Sequence, residues 1–184
     1  MLHAETTSTD TALLIIDVQN GLFDEVYDDD RAVLQRIATL SERARAAGAP
    51  IIYIQHDGGP GHPLAPETDA WRIHPAVAPR PDDLIVRKRA SDAFYKTSLQ
   101  RALDARGVLR LVVTGAQSEF CVDTTCRRAL SQGYDVTLVA DGHQTCDANG
   151  LSTEQIIAYH NAVLANLAHP DHSITITPAV EVTF

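Results

Sequence analysis

The chain has 184 residues, 45% apolar and 21% charged, enough for a real core, and one domain is expected over residues 1–184. Its formal net charge of −9 argues against a nucleic-acid partner, because such binders cluster Lys and Arg to neutralise phosphates. Three irregularly spaced cysteines make neither a disulfide framework nor a zinc ligand set; with no apolar leader in residues 1–10 and no membrane-length run, a cytoplasmic protein away from membranes is expected.

In chain order, Ala12-Leu13-Leu14-Ile15-Ile16 is an apolar strand ending in the carboxylate Asp17. Asp28-Asp29-Asp30 reads as a solvated approach to a helix that starts at Asp30 and carries Val33, Ile37, Leu40, Ala44 and Ala47 at helical spacing, with Gly48 as its stop. Ile51-Ile52-Tyr53-Ile54 is a second strand, giving a β-α-β unit. Residues 56–82 are rich in Gly and Pro and predict a long surface excursion, of the kind that usually serves function. Leu84-Ile85-Val86 is a third strand running into Arg87-Lys88-Arg89, and Thr97 with Gln100 has the spacing of a capping box for the next helix.

Leu109 to Thr114 is a fourth strand, broken by Gly115 and followed by a helix whose first turn carries Cys121. Val122, Cys126, Ala129 and Leu130 share one face of that helix, and Gly133 ends it. Val136-Thr137-Leu138-Val139 is a fifth strand that ends in Asp141, with Gly142 and His143 behind it. Ser152 and Gln155 form a second capping box before an apolar stripe of Ile156, Ile157, Val163, Leu164 and Leu167, and Ile174-Thr175-Ile176 is a sixth strand. The alternation specifies an α/β protein with a six-stranded, mostly parallel sheet between helical layers, and disorder is expected only at the ends.

Asp17, Lys88 and Cys121 each follow a different strand, and a parallel sheet brings all such ends to one edge. Together they offer a thiolate nucleophile, an acid that moves its proton and an ammonium that steadies both charges. A thiol in the first turn of a helix meets backbone N–H groups that favour its ionised form. Singly, each residue also has a plain reading: a small buried apolar side chain for Cys121, a loop acid for Asp17, and part of a solvated basic run for Lys88.

Asp17-Val18-Gln19-Asn20, Lys88 with Ser91-Asp92-Ala93-Phe94, and Gly115-Ala116-Gln117-Ser118-Glu119-Phe120-Cys121-Val122 resemble the three signature blocks of the isochorismatase-like cysteine hydrolases. The resemblance implies a three-layer α/β/α sandwich, with Asp17 as general acid/base, Lys88 as electrostatic partner and Cys121 as nucleophile. It also implies a non-proline cis peptide at Ala116–Gln117 and an oxyanion hole from the backbone N–H groups of Gln117 and Cys121. Relatives of this kind assemble as dimers or higher oligomers, so a homo-oligomer acting on a small-molecule substrate is expected.

The metal-dependent nicotinamidases of the family carry an Asp-x-His pair after the second strand. Here Gln55-His56-Asp57-Gly58 breaks that pair, and His56, Asp57, His62 and His74 have irregular spacing, so neither a metal nor another cofactor is expected. Members that hydrolyse vinyl ethers do not need the cysteine; its presence favours an amide, lactam or carbamoyl bond, with vinyl-ether hydrolysis and a non-catalytic scaffold as alternatives. Gln55 to Gly59, Trp71, His74-Pro75, the Asp141 to Thr145 block and His160-Asn161 resemble a subgroup that includes streptothricin hydrolase.

Phe23, Trp71, Phe94 and Phe120, with Tyr95, could wall an apolar substrate pocket or serve as ordinary packing, and His143 is placed to line the pocket. His160 lies on the apolar stripe of the last helix, where a hydrogen-bonded core histidine is expected. Cys126 and Cys146 are read as structural.

Overall fold

Strands rich in Leu, Ile and Val with no polar face are stable only when both faces are covered, and the centre of the sheet is built on three such segments. The computed structural model describes residues 9–184, apart from the side chain of Asp28; the disorder expected at the amino end falls outside them. The strands are β1 (Thr11–Ile16), β2 (Ile51–His56), β3 (Leu84–Lys88), β4 (Arg110–Ala116), β5 (Asp135–Gln144) and β6 (Ile174–Thr177). They pair in parallel in the order β3-β2-β1-β4-β5-β6. The helices are α1 (Asp28–Ala46), α2 (Leu99–Asp104), α3 (Asp123–Ser131) and α4 (Thr153–Ala165).

Successive strand residues face opposite sides, and each side has its own core. Leu13, Ile15, Tyr53 and Val112 pack with Val33, Ile37 and Leu40 of α1 on one face. Leu14, Ile16, Ile54 and Val113 pack on the other with Leu99, Cys126, Ala129 and Leu164 from the three remaining helices. Strand order reverses between β1 and β4, and the crevice at the carboxyl ends of those two strands is where open α/β sheets bind ligands. Among the described residues, no helix is long and apolar enough to cross a membrane.

Three local expectations need correction. Helix α1 starts at Asp28, two residues before Asp30. Thr97 and Gln100 make no capping box: α2 starts at Leu99 behind Ser98, Thr97 Oγ1 donates to the Ala93 carbonyl at 2.6 Å, and Gln100 reaches Asp104 and Tyr134 instead. Strand β5 does not stop near Val139. Its pairing with β4 jumps from Val113↔Leu138 to Gly115↔His143, so the extra residues bulge out and the strand resumes through Gln144. The capping box of Ser152 and Gln155 is present at the start of α4, and Ile156 and Leu164 are the buried members of its stripe.

Candidate active site

Asp17 leaves the end of β1 with φ +49°, a left-handed conformation that Asp tolerates better than most side chains. Its N–H donates to the Ile54 carbonyl at 2.8 Å, and its own carbonyl accepts from Gln19 N–H at 2.8 Å. Lys88 ends β3, and Cys121 lies in a single π-helical turn, Ser118–Val122, between β4 and α3. Across the strand-order reversal, β1 and β4 come so close that a Cβ on Gly115 would sit 1.9 Å from the Ile16 carbonyl oxygen. Glycine at φ +119° is what this approach permits.

The three side chains converge on the Lys88 ammonium. Nζ donates to Asp17 Oδ2 at 2.6 Å and to Cys121 Sγ at 3.1 Å, with Asp17 at 1% and Lys88 at 2% exposure. Burial drives the Asp17 pKa above the ordinary carboxylate value, with Lys88 opposing it, and Oδ1 of the same carboxylate has no hydrogen-bond partner. The Cys121 thiol is pushed up to about 11, first by burial and then by the Asp17 charge, against the pull of Lys88. This reverses the expectation of a resting thiolate: the turn that carries the sulfur buries it beside a carboxylate, and that outweighs the donors around it.

A fourth group joins them. His56 Nδ1 is 3.3 Å from Lys88 Nζ, and burial, followed by the Lys88 charge, lowers the His56 pKa. Among the described residues, Asp17, His56 and Cys121 form the one three-group cluster with metal-ligand spacing, their donor atoms within 4.8 Å of one another. The acceptors of that cluster are already directed at the lysine cation. Elsewhere in the excursion Asp57 holds Arg87 and Trp71 Nε1, His62 Nδ1 accepts from Leu64 N–H, and His74 Nδ1 accepts from Ala76 N–H. These groups point to separate partners, not to a shared ion.

The turn before Cys121 is fixed by a neutral polar clamp. The Ala116–Gln117 peptide is cis. Ser118 and His143 are 0% and 1% exposed; Ser118 Oγ lies 2.7 Å from His143 Nδ1, and His143 Nε2 lies 3.0 Å from Asn161 Oδ1. Because Asn161 Nδ2 donates to the Ala140 carbonyl at 3.1 Å, its Oδ1 is the acceptor, so His143 carries its proton on Nε2 and accepts the Ser118 hydroxyl on Nδ1. Ser-His-Asn in this order looks like a nucleophile relay, but Ser118 is fully enclosed and presents no nucleophile, so the set holds the turn. Burial keeps the His143 pKa low.

A cleft of about 1120 Å³ opens between the start of α1 and the β5–α4 connection, lined by Phe23, His143 and Gln144 among others. It holds none of Asp17, Lys88 and Cys121; Gln144 in its lining pairs with Ala116, just before the turn that carries Cys121, and donates to the Leu22 carbonyl. Of the aromatic residues expected at a pocket wall, Phe23 lines this cleft and Trp71 sits above the end of β2, its carbonyl accepting from Gln19 and Gln55. Phe94 belongs to the core, packed on Tyr134 with ring centroids 6.0 Å apart, and Phe120 is 53% exposed. Tyr95 is also exposed, beside Lys96.

His160 pairs with Asp123 at 3.0 Å, hydrogen-bonded as expected, but it is only partly buried and lies outside the core. Cys126 is buried in the core, while Cys146 is exposed, and no cysteine is in a disulfide. Asp141 turns away from the site to Arg36 at 3.0 Å and to Ala179 N–H. Sequence reasoning missed the Ser118 and Asn161 partners of His143 and the contact of His56 with Lys88. Only the position of His56 at the end of β2 gave a signal for it.

Comparison with known proteins gives the same outline. The chain is 44% identical to streptothricin hydrolase of Streptomyces noursei over 138 residues, 74% of this chain and 50% of that protein. It therefore spans about half the length of that curated relative. It is 30% identical to a ureidoacrylate amidohydrolase of Methylobacterium radiotolerans, over 85% of this chain and 72% of that one. The crystal structure of an isochorismatase from Pseudomonas putida KT2440 superimposes with a TM-score of 0.85 at 30% identity, covering 99% of this chain and 93% of that one. The Isochorismatase domain matches residues 11–168, and the chain belongs to the isochorismatase family.

Proposed function

We propose that the protein is a cysteine hydrolase that cleaves a C–N bond, in an amide, lactam or carbamoyl group of a small molecule, through a thioester on Cys121. The observation that carries this reading is one buried ammonium bridging a carboxylate at 2.6 Å and a thiol sulfur at 3.1 Å. The names of two relatives, a streptothricin hydrolase and a ureidoacrylate amidohydrolase, support it.

With its thiol pushed up to about 11, Cys121 keeps its proton at rest. As the sulfur attacks the carbonyl carbon, the Asp17 carboxylate, which acts directly on the Cys121 thiol, takes that proton, while Lys88 offsets the charge moving between them. A raised pKa makes Asp17 the stronger base for this step. The backbone N–H groups of Gln117 and Cys121 receive the oxyanion. Protonated Asp17 then gives the proton to the nitrogen, the C–N bond breaks, and the amine leaves a thioester. Asp17 next takes a proton from water as its oxygen adds to the acyl carbon. Collapse releases the carboxylic acid, or carbamic acid from a carbamoyl group, and the sulfur regains its proton from Asp17.

Three unpaired cysteines fit a reducing cytosol, and assembly as a dimer or tetramer belongs to the same proposal. The test is amine or ammonia release from a panel of amides, lactams and carbamoyl compounds, with vinyl ethers run alongside. Release by the parent protein that falls at least about 10³-fold in Cys121→Ala supports the proposal. Turnover of vinyl ethers alone, unaffected by Cys121→Ala, overturns it.

A further inference from the structure

His56 is held more firmly than a loop histidine would be. It is the last residue of β2 and the direct register partner of Lys88, so both side chains leave the sheet on the same face. The side-chain amide of Gln19, itself fully buried, brackets its backbone: Oε1 accepts from His56 N–H at 2.9 Å, and Nε2 donates to the His56 carbonyl at 3.1 Å. The ring therefore presents Nδ1 to Lys88 Nζ at 3.3 Å from a fixed base.

An ammonium has three N–H donors and no acceptor. Two of those of Lys88 go to Asp17 Oδ2 and Cys121 Sγ, and His56 Nδ1 is the partner for the third. His56 must then be neutral, with its proton on Nε2; Lys88, Asp17, His62 and Asp57 are the charged and titratable groups that act on it. Without an acceptor there, a flexible four-carbon stem would let the ammonium swing towards the carboxylate, its stronger partner, and away from the sulfur.

We propose that His56 is a positioning residue of the reaction: its neutral imidazole accepts the third N–H of Lys88 and keeps the ammonium on the Cys121 sulfur, so that it sets how readily the thiol gives up its proton. The proposal rests on the reading of Cys121 as the reacting thiol, but its test needs no turnover. Iodoacetamide alkylation of Cys121 is followed from pH 7 to 11 by peptide mass mapping, in a Cys146→Ser background because Cys146 is exposed.

His56→Phe, which has no acceptor, is expected to slow alkylation at pH 8.5 about tenfold, as the thiol titration moves up by about one unit. His56→Asn, whose amide oxygen can take the place of Nδ1, is expected to restore most of the rate. Should His56→Phe fail to fold, His56→Ala replaces it in the same comparison. Equal rates in the parent and the acceptor-less variant across the pH range would overturn the proposal, as would an Asn variant no faster than that variant. If no amide is ever turned over, the alkylation result still stands or falls by itself.

Discussion

Two buried polar sets flank the turn that carries Cys121, and they are built on opposite principles. In Ser118, His143 and Asn161 the side-chain contacts run in sequence to the Ala140 carbonyl, all between neutral groups. Asp17, Lys88, His56 and Cys121 are built around a buried ion pair, one carboxylate oxygen has no partner, and the thiol and the acid both titrate above their ordinary values. A satisfied neutral network fixes geometry, whereas an unsatisfied charged one keeps a proton acceptor ready for a substrate.

The largest expected effects break the charged set. Asp17→Asn should lower turnover by about 10²–10⁴-fold, the usual range for a general acid/base, measured as amine release. Lys88→Met should lower turnover comparably and also destabilise the fold, by roughly 3–5 kcal/mol, because Asp17 is left buried without its counter-ion. The pH dependence of that loss has a definite sign. Asp17 has a folded-state pKa above its unfolded one, so its contribution to stability is fully present below the unfolded value and is lost as pH rises through the folded value. Removing Lys88, which holds the Asp17 pKa down, raises it further, so urea denaturation of Lys88→Met should show its smallest deficit near pH 4 and a larger one at pH 7.

Gly115→Ala comes next: it drives a methyl group into the Ile16 carbonyl at positive φ and should destabilise by about 3 kcal/mol or more. Breaking the neutral set with Asn161→Ala should reduce stability by about 1–3 kcal/mol, since His143 Nε2–H loses its acceptor. Its alkylation profile should keep the parent's shape, which is what separates a clamp from the charged set. Smallest is Ser152→Ala at the cap of α4, about 1 kcal/mol in thermal or urea unfolding.

The convergence of Asp17, Lys88 and Cys121 was legible because it follows from three apolar strands and the rule that parallel strands end on one edge. Hydrophobic period and terminal residue suffice for that. The extension of β5 was not legible: Asp141-Gly142 reads as a turn, and only the sheet partner shows that the chain bulges and returns to pairing. The state of the thiol was misread for a related reason. Sequence places the cysteine in the first turn of the helix, whereas it lies in a π-helical turn ahead of α3, and its burial beside Asp17 is a tertiary fact that decides the sign of the shift. Phe94 and Phe120 show the same limit, since adjacency to a signature block does not say whether a ring packs inward or faces solvent. The partners of His143 lie 25 and 18 positions away in sequence, with no periodic signal linking them.

The central claim is that Cys121 carries the acyl group. Its most direct test is intact-mass measurement of protein quenched in acid during turnover of an amide found by the panel. The account predicts a transient mass increase equal to the acyl portion of the substrate, mapped to Cys121 and absent in Cys121→Ala. Turnover at the parent rate by Cys121→Ala, with the protein mass unchanged at every quench time, would contradict it.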